Sequence, residues 1–320
     1  MSAYTSTIFK STSLKPILRD KRWVIKITGV ILKGIGGFYY VMDENKRINV
    51  CKARGRFRKE RTTPLPGDRV TFLYETEKTY GFIEEIHDRK NELTRPAVAN
   101  VTMCVIVLSP KKPMPDFMLV DKLLVQCLNR GIKAVILINK IDIAERKEID
   151  AIRAEYSETF RVLTISAKEK TGMQWLKRLL RGECACFSGQ SAVGKSSIIN
   201  ALFPQLRLDT GVLSKKVQRG RHTTRHTELL VMTDIDGTVV DTPGFSVFDA
   251  LDIPPETLKD YYPEFAPYTG ECRFLSCLHD REPGCGVKHA VKTGKVVEGR
   301  YRRYLEILQE LKEKRAKKYD

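Results

Sequence analysis

Gly189-Gln-Ser-Ala-Val-Gly-Lys-Ser196 is the stretch of this 320-residue chain from which the fold can be predicted. It follows the predicted strand Ala185–Ser188 and opens the predicted helix Lys195–Leu202. Glycines in such a loop let backbone N–H groups converge on phosphate oxygens at a helix N-terminus, where the dipole favours anions. The residues predicted to hold phosphate are Gly189, Gln190, Ser191, Ala192, Val193, Gly194, Lys195, Ser196 and Ser197, with Lys195 on the β/γ oxygens and the Ser196 hydroxyl on Mg²⁺.

Two motifs that suit a guanine base come before this loop. Asn139-Lys-Ile-Asp142 follows the predicted strand Ala134–Ile138, and Ser166-Ala-Lys168 ends the predicted strand Val162–Ser166. A carboxylate can accept both the N1–H and the exocyclic amine of guanine, a bidentate match that adenine does not offer. We expect Asp142 to make this contact and the Ala167 N–H to meet the guanine carbonyl oxygen. The residues predicted to surround the base are Asn139, Lys140, Ile141, Asp142, Ser166, Ala167 and Lys168.

Two further motifs follow the loop, Gly220-Arg-His-Thr-Thr224 and Asp241-Thr-Pro-Gly244. By the logic of P-loop NTPases, Asp241 would hold Mg²⁺ through water, and the Gly244 N–H would sense the γ-phosphate. One of Thr223 and Thr224 should complete the Mg²⁺ coordination, and Thr224 is our choice between them.

The residue after Gly244 is Phe245, whereas Ras has there the glutamine that orients the attacking water. Phenylalanine cannot do this, so we expect feeble intrinsic GTP hydrolysis that a partner stimulates. His222 is a candidate for positioning water, and the alternative is that it contacts only the switch loop or RNA. The predicted catalytic residues are therefore Lys195, His222 and Thr224.

The order of these motifs is itself informative. A Ras-like GTPase has the phosphate loop first and the base-reading motifs last. Here the order is changed, yet each motif stays at the carboxyl end of a predicted strand, where open α/β sheets bind ligands. The sequence therefore predicts a circularly permuted, Ras-like P-loop GTPase domain over residues 96–250, binding GTP or GDP with Mg²⁺.

Residues 22–95 precede this domain and contain five short predicted strands separated by turn signals, Trp23–Leu32, Phe38–Met42, Ile48–Ala53, Arg69–Tyr74 and Tyr80–Ile86. This spacing favours a small β-barrel, and the OB-fold is the common RNA-binding choice. The basic run 52–61 is predicted to be a loop in which Phe57 offers stacking and its neighbours offer phosphate contacts. A solvated loop is the alternative.

Residues 251–320 form a third predicted domain. Cys272, Cys277, His279 and Cys285 bring three thiols and an imidazole within fourteen residues, which predicts one closed, structural Zn²⁺ site in a segment with little core of its own. His289 is an alternative ligand. A helix from about 300 to 318 follows. Its predicted docking stripe is Tyr301, Tyr304, Leu305, Leu308 and Leu311, and the basic residues around it, Arg302, Arg303, Lys312, Arg315 and Lys318, could touch RNA.

Composition bounds the partners. The net charge is +17, with an excess of nine basic residues in 1–90, six in 286–320 and only two in 91–285. Basic flanks suit a polyanion, and with no lipidation motif and no apolar run near the ~18 residues that span a bilayer we expect RNA and no membrane. The basic N-terminal arm, residues 1–21, superficially resembles an organellar transit peptide, but we expect a frayed arm. Five cysteines outside the cluster read as reduced core thiols, which indicates the cytoplasm: Cys51, Cys104, Cys127, Cys184 and Cys186.

These motifs together resemble the RsgA (YjeQ) family of circularly permuted GTPases that depend on the small ribosomal subunit. The match covers roughly residues 22–318 and is closest at Gly189–Ser197, Gly220–Thr224, Asp241–Phe245 and the Cys/His run. Two departures are Arg225, where a third threonine is usual, and Ala192, where glycine is common and a small residue should be harmless.

The resemblance implies a multidomain α/β protein: OB-fold β-barrel, permuted GTPase domain and zinc-binding helical C-terminal domain. It also implies a monomer that binds the small subunit and its rRNA late in maturation, hydrolyses GTP when stimulated by it, and then dissociates. Two alternatives remain open, a non-enzymatic GTP-dependent RNA-binding switch and a GTPase acting on another structured RNA such as tRNA.

Overall fold

The computed structural model describes residues 17–19, 22–59, 62–75, 79–204, 227–232, 234–241 and 251–319. They form two compact units. One contains the described part of residues 1–100 and 224–230, and the other contains the described part of 101–223 and 231–320. The segment after residue 250 thus belongs to the same compact unit as the central domain, and the boundaries drawn at 95/96 and 250/251 stay predictions. No helix in these ranges is both long and apolar enough to cross a membrane.

A closed five-stranded barrel forms the first unit. Its long strand β2 pairs with β3 on one side and β5 on the other, and a parallel β4–β6 pair completes the order β2-β3-β4-β6-β5. All five predicted strands are confirmed. The strands of this unit are β1 (Ile17–Arg19), β2 (Arg22–Ile35), β3 (Phe38–Asp43), β4 (Ile48–Ala53), β5 (Arg69–Glu75), β6 (Gly81–Ile86), β7 (Glu92–Thr94) and β8 (Ala97–Ala99), the last two forming a separate hairpin.

The interior of the barrel contains a residue that the sequence had assigned to the surface. Phe57 is only 6% exposed and packs with Ile31, Val70 and other buried residues. It lies in a short helix, α1 (Gly55–Lys59), in which the neighbouring Arg56 remains exposed. The prediction of a loop offering Phe57 to RNA bases was therefore wrong, because one helical turn directs the ring inward while Arg56 and Lys59 stay exposed.

A parallel sheet with the order β11-β10-β9-β12-β14 is the centre of the second unit. Every residue of β9 is buried, as expected for a strand covered on both faces. Its strands are β9 (Met103–Leu108), β10 (Lys133–Ile138), β11 (Arg161–Thr164), β12 (Cys184–Ser188) and β14 (Gly237–Asp241). Strand β13 (Glu228–Met232) begins in the first unit, where Glu228 pairs with Lys33 of β2 and forms an ion pair of 2.6 Å with it.

The helices of this unit alternate with the strands in the central domain, and the helix predicted over Lys195–Leu202 has these bounds. They are α2 (Phe117–Asn129), α3 (Arg146–Tyr156), α4 (Met173–Leu179), α5 (Lys195–Leu202), α6 (Ala266–Thr269), α7 (Gly286–Lys292) and α8 (Glu298–Tyr319), with 3₁₀ turns at Ile141–Ile143, Pro255–Tyr261 and Pro263–Phe265. Because the sheet is parallel, its carboxyl edge gathers the loops that begin after Leu108, Ile138, Thr164 and Ser188.

The C-terminal segment has a larger core than its loop-rich sequence suggested. The predicted stripe of α8 is docked, with Tyr304, Leu308 and Leu311 buried, and Val125 of α2 belongs to the same apolar cluster. Three tyrosine and phenylalanine rings, Tyr262, Phe265 and Tyr304, lie with centroids about 5 Å apart, within the range where aromatic pairs attract. The expectation of little core was wrong because residues far apart in the chain contribute to it.

The basic residues around this stripe are largely paired with acids. Arg303 is nearly buried, and Arg302, Lys312 and Arg315 each lie within 3.0 Å of a carboxylate, from Glu298, Asp280 and Glu256 respectively. The side chain of Lys318 lies outside the described residues. The prediction that this face is free to contact RNA is therefore wrong for Arg303. For Arg302, Lys312 and Arg315, RNA would have to compete with an existing ion pair.

A buried ion network joins α2 to α8. Asp121 is 1% exposed and accepts from Arg300 Nη1 at 2.6 Å, from Arg303 Nε at 2.5 Å and from the Tyr156 hydroxyl at 3.0 Å. Arg300, itself 2% exposed, also reaches Glu264. Burial acts to lower the pKa of Arg300, but the charges of Asp121 and Glu264 outweigh it and raise that pKa. Burial also raises the pKa of Asp121, against the charges of Arg300 and Arg303 that lower it. We describe the carboxylate as ionised because both guanidinium groups donate to it.

Replacing Asp121 with alanine should leave two guanidinium groups without their shared buried partner. Removing one member of a buried ion pair typically destabilises a protein by about 3–5 kcal/mol. We expect a loss of this order in urea or thermal unfolding. Lys122→Ala on the same helix is the control, because its pair with Glu310 is exposed and such pairs contribute at most about 1 kcal/mol. Equal effects of the two substitutions would contradict this account.

Candidate guanine-nucleotide and metal sites

The amide of Asn139 connects three of the predicted nucleotide-binding loops. It is 2% exposed, its Nδ2 donates to Val193 O at 2.9 Å, and its Oδ1 accepts from the Ala167 N–H at 3.0 Å. One side chain thus ties the loop after β10 to the loop after β11 and to the loop after β12. An asparagine fits here because its amide both donates and accepts, which neither an acid nor an aliphatic residue can do.

The base-reading residues are also oriented by hydrogen bonds. Ser166 is buried, and its hydroxyl donates to Asp142 Oδ1 at 2.6 Å, which fixes the carboxylate expected to bind guanine. Lys140 extends along the phosphate loop, donating to Ala192 O at 2.7 Å and to Lys112 O at 2.6 Å. Since the Ala167 N–H donates to Asn139, its predicted contact with the guanine carbonyl would require it to exchange that acceptor.

The phosphate loop requires glycine at two positions. Gly189 has φ of 128°, and an added Cβ would lie 2.2 Å from Val107 O. Gly194 has φ of 99°, and its Cβ would lie 2.4 Å from Asn139 Nδ2. Ala192 has φ of 63°, a left-handed conformation that costs an L-residue roughly 1–2 kcal/mol. Alanine was expected to be harmless at this position, but its left-handed backbone conformation has this energetic cost.

The ammonium group of Lys195 folds back over the loop. It donates to the carbonyl oxygens of Gly189 and Gln190, each at 2.7 Å. Burial lowers the pKa of Lys195 to about 8, and no acid compensates it among the described residues. The loop therefore contains a cation that lacks an anionic partner at the place where a phosphate is expected.

Two further predicted site residues lie on elements next to the phosphate loop. Ser196 is exposed in the first turn of α5, and Asp241 ends β14, the strand next to β12. His222, Thr223, Thr224 and Gly244 lie outside the described residues, as do Arg225 and Phe245. Two contacts were not foreseen from the sequence: Gln190 Oε1 accepts from the Asp116 N–H, and Lys112 O accepts from Lys140. Only the spatial proximity of these loops reveals them.

The four predicted metal ligands converge. The ligand atoms of Cys272, Cys277, His279 and Cys285 all lie within 4.8 Å of one another. Cys272 Sγ is 3.9 Å from Cys285 Sγ, and His279 Nδ1 is 3.6 and 3.4 Å from these two sulfurs. A tetrahedral centre with ~2.3 Å metal–sulfur bonds separates its ligands by roughly 3.5–3.8 Å. The cluster can therefore hold one metal ion, and among the described residues His289 does not belong to it.

The backbone around the cluster supports this arrangement. The N–H groups of His279 and Lys288 point at Cys277 Sγ and Cys285 Sγ, each at 3.4 Å, as suits thiolate ligands. Gly284 has φ of 67° where the chain turns towards Cys285. The Tyr301 hydroxyl donates to His279 O at 2.6 Å, so α8 helps to position the histidine. The backbone of His279 is therefore held by α8, whereas its buried Nε2 has no hydrogen-bond partner among the described residues.

Comparisons with known proteins show the family to which this chain belongs. The family model described as RsgA GTPase matches residues 86–251, and the model described as RsgA N-terminal domain matches residues 28–83. The chain belongs to the RsgA GTPase family. It is accordingly a GTP hydrolase in which a circularly permuted GTPase domain follows an N-terminal barrel along the chain, as predicted.

Among curated relatives, a protein of Ruminiclostridium cellulolyticum named small ribosomal subunit biogenesis GTPase RsgA is 47% identical over 288 residues, 89% of this chain and 94% of that one. A protein of the same name from Alkaliphilus metalliredigens is 42% identical, covering 90% of this chain and 98% of its own. Among solved structures, YjeQ from Thermotoga maritima has a TM-score of 0.79 at 35% identity, covering 89% and 98% of the two chains. YloQ, described as a circularly permuted GTPase, has a TM-score of 0.76 at 35% identity, covering 90% and 96%.

The lowered pKa of Lys195 leads to a test of nucleotide binding in this RsgA-family GTPase. A phosphate should raise that pKa again, so binding should take up a proton above about pH 8, and affinity should fall as the pH rises through that value. Titration calorimetry with GDP, in buffers of different ionisation enthalpy, measures the uptake directly. Lys195→Arg, whose side chain stays charged, is the control. Binding to the wild-type protein without proton uptake near pH 8.5 would contradict the assignment.

Proposed function

We propose that this chain is a GTPase of small ribosomal subunit maturation: it binds the subunit late in assembly, hydrolyses GTP to GDP and phosphate under its stimulation, and then dissociates. The observation that carries the proposal is the Asn139 amide, which joins the base-reading loops to the phosphate loop. The names of relatives more than 40% identical over about nine-tenths of the chain support the choice of partner.

Guanine would be bound at the Asn139 loop. The Asp142 carboxylate, oriented by Ser166, would accept the two guanine donors, and this geometry favours GTP and GDP over ATP. The aliphatic part of Lys140 would cover the base. The Ala167 N–H would donate to the guanine carbonyl oxygen in place of Asn139 Oδ1. The remaining residues proposed to contribute backbone or side-chain contacts to the base are Ile141 and Lys168.

The triphosphate would lie over the loop from Gly189 to Ser197. Lys195 has no anionic partner among the described residues, so its ammonium group would exchange two carbonyl acceptors for phosphate oxygens. A Mg²⁺ ion, held by Ser196, Thr224 and Asp241, would supply charge neutralisation between the β- and γ-phosphates. Thr223 remains the alternative to Thr224, and the Gly244 N–H would contact the γ-phosphate. His222 is the proposed residue for positioning water, since Phe245 cannot do so.

The metal of the Cys272, Cys277, His279 and Cys285 cluster is proposed to be Zn²⁺. Three thiols and one imidazole are ligands of the borderline-soft type that zinc prefers, and four protein ligands leave no open position for a substrate. The role would be structural: the ion would join the 272–285 loops to α7, whose first turn follows Cys285.

The partner and setting follow from charge and family. We propose that a monomer binds the rRNA of the small subunit in the cytoplasm, because the net charge of +17 favours a polyanion.

The decisive experiment is a GTPase assay with and without purified small subunits. We expect feeble turnover alone and an increase of roughly 10³-fold or more with subunits, the range over which partner groups act in this class of enzyme. Lys195→Ala should abolish stimulated turnover, whereas His222→Ala should lower it while leaving GDP affinity nearly unchanged. Stimulation by tRNA but not by subunits would favour the other-RNA alternative, and subunit binding without any stimulation would favour the non-enzymatic switch.

A second test concerns the metal. Cys285→Ser should lower bound zinc from one ion per chain towards none and reduce thermal stability, because structural zinc in small domains supplies roughly 10–16 kcal/mol of binding energy. Cys51→Ser, in the barrel core and outside the cluster, should keep the full zinc content. Elemental analysis together with thermal unfolding measures both. Full zinc content in Cys285→Ser would exclude the assigned ligand set.

A further inference from the structure

Helix α4 carries an exposed tryptophan that neither the nucleotide site nor the metal cluster uses. Trp175 is 53% exposed, although α4 docks firmly through Met173, Leu176 and the following Leu180, which are 8%, 0% and 0% exposed. The helix is thus held without the indole. An exposed tryptophan is an informative observation, because tryptophan is among the residues enriched where proteins bind partners.

The tryptophan is already stacked with a cation. The guanidinium carbon of Arg178, one helical turn further along α4, lies 4.8 Å from the centre of the indole ring. This pair, the platform, consists of two groups that both stack well on nucleobases. The helix dipole accounts for a cation in the last turn of α4, but it does not account for the exposed ring beneath it.

The surroundings of this pair are strongly basic. Residues 168–182 contain five Lys or Arg and one acid, within a stretch, 91–285, whose net excess is only two. Lys177 is paired with Asp234 at 3.0 Å, and Lys168 with Glu169 at 3.4 Å. In contrast, Lys170, Arg178 and Arg181 have no acidic partner within 4.0 Å in the part of the chain that the structure describes. This contrasts with α8, where most basic residues are neutralised.

We propose that the α4 face, formed by Lys170, Trp175, Arg178 and Arg181, is an RNA-binding surface on which an unpaired base stacks against Trp175 and Arg178. Lys170 and Arg181 would contact the adjoining phosphates. Single-stranded RNA fits because it offers both a π-face for the indole and negative charge for three unpaired cations. A purely apolar partner would leave these cations unmatched, and an acidic peptide would leave the platform unused.

The α4 face is adjacent in the chain to the base-reading loop. The backbone N–H of Ser166, in the base-reading loop, donates to Thr171 O at 3.1 Å, and α4 begins two residues later. RNA on the α4 face therefore lies on the same element that borders the guanine-reading loop. The inference rests on the proposed function for the identity of its partner, a ribosomal RNA, but the surface itself can be tested with any single-stranded RNA.

Trp175 is one of only two tryptophans in the chain, which provides a direct measurement. In a Trp23→Phe background, all tryptophan emission comes from Trp175. Titration with a short single-stranded RNA of mixed sequence should quench this emission saturably, and the same sequence annealed as a duplex should quench it much less. Trp175→Ala should weaken single-strand binding by roughly 5- to 150-fold, the range for loss of one stacked base, and Trp175→Phe should restore most of it.

Arg178→Glu should weaken binding similarly and make its salt dependence shallower. Arg146→Glu is the control: it makes the same charge reversal at a residue that is 94% exposed on a different helix, α3. The affinity for GDP should be unchanged in all these variants, because none of the substituted residues lies in the nucleotide site. Absence of quenching, or equal effects of Arg178→Glu and Arg146→Glu, would overturn the proposal.

The same variants separate this inference from the proposed function. In co-sedimentation with small subunits, wild-type protein should bind, and Trp175→Ala and Arg178→Glu should bind more weakly. If the variants co-sediment with subunits and their GTP hydrolysis is stimulated like that of the wild type, the α4 inference fails while the proposed function stands. If wild-type protein does not bind subunits but its Trp175 is quenched by single-stranded RNA, the partner is wrong and the surface stands.

Discussion

The buried amide of Asn139 is the interaction on which the nucleotide site depends. Its two hydrogen bonds, to Val193 O and from the Ala167 N–H, hold together loops that come from three strands of one parallel sheet. A buried polar group without hydrogen-bond partners destabilises a fold. The native fold therefore needs all three loops in the positions that satisfy the amide. The circular permutation changes the order in which these loops occur along the chain, but it does not change the edge of the sheet at which they meet.

A buried side chain also links the central domain to the C-terminal segment. Asp121 lies in α2 and receives Arg300 and Arg303 from α8, 179 and 182 positions later in the chain. Asp116 caps the N-terminus of α2, and its N–H donates to Gln190 of the phosphate loop. A short series of hydrogen bonds and one helix thus connects the phosphate loop to the helix that also hydrogen-bonds the backbone of His279. The metal cluster and the nucleotide loop therefore belong to one packed unit.

Charge in this protein divides into two kinds with different physical roles. On α8, the basic side chains face acids from the rest of the unit, so much of their charge holds the helix in place. In and beside α4, Lys170, Arg178 and Arg181 have no such acids in the described residues, and the Trp175 indole lies against Arg178. Net charge alone predicts a polyanionic partner for both helices. Only the pairing distinguishes cations that stabilise the fold from cations that remain available to a ligand.

The sequence by itself determined the elements and motifs, because these are local. The period of apolar residues defined strands and helices, and the glycines, Lys195, Asp142 and the Cys/His spacing identified the chemistry before any contact was known. The sequence was wrong where the outcome depended on distant residues. Phe57 is buried because a short helix turns it into the barrel, and Arg303 is neutralised because Asp121 and Glu155 reach it from other helices. The tertiary structure decided which of the many basic and aromatic side chains are buried or paired, since burial and ion pairing depend on the three-dimensional neighbours of a residue.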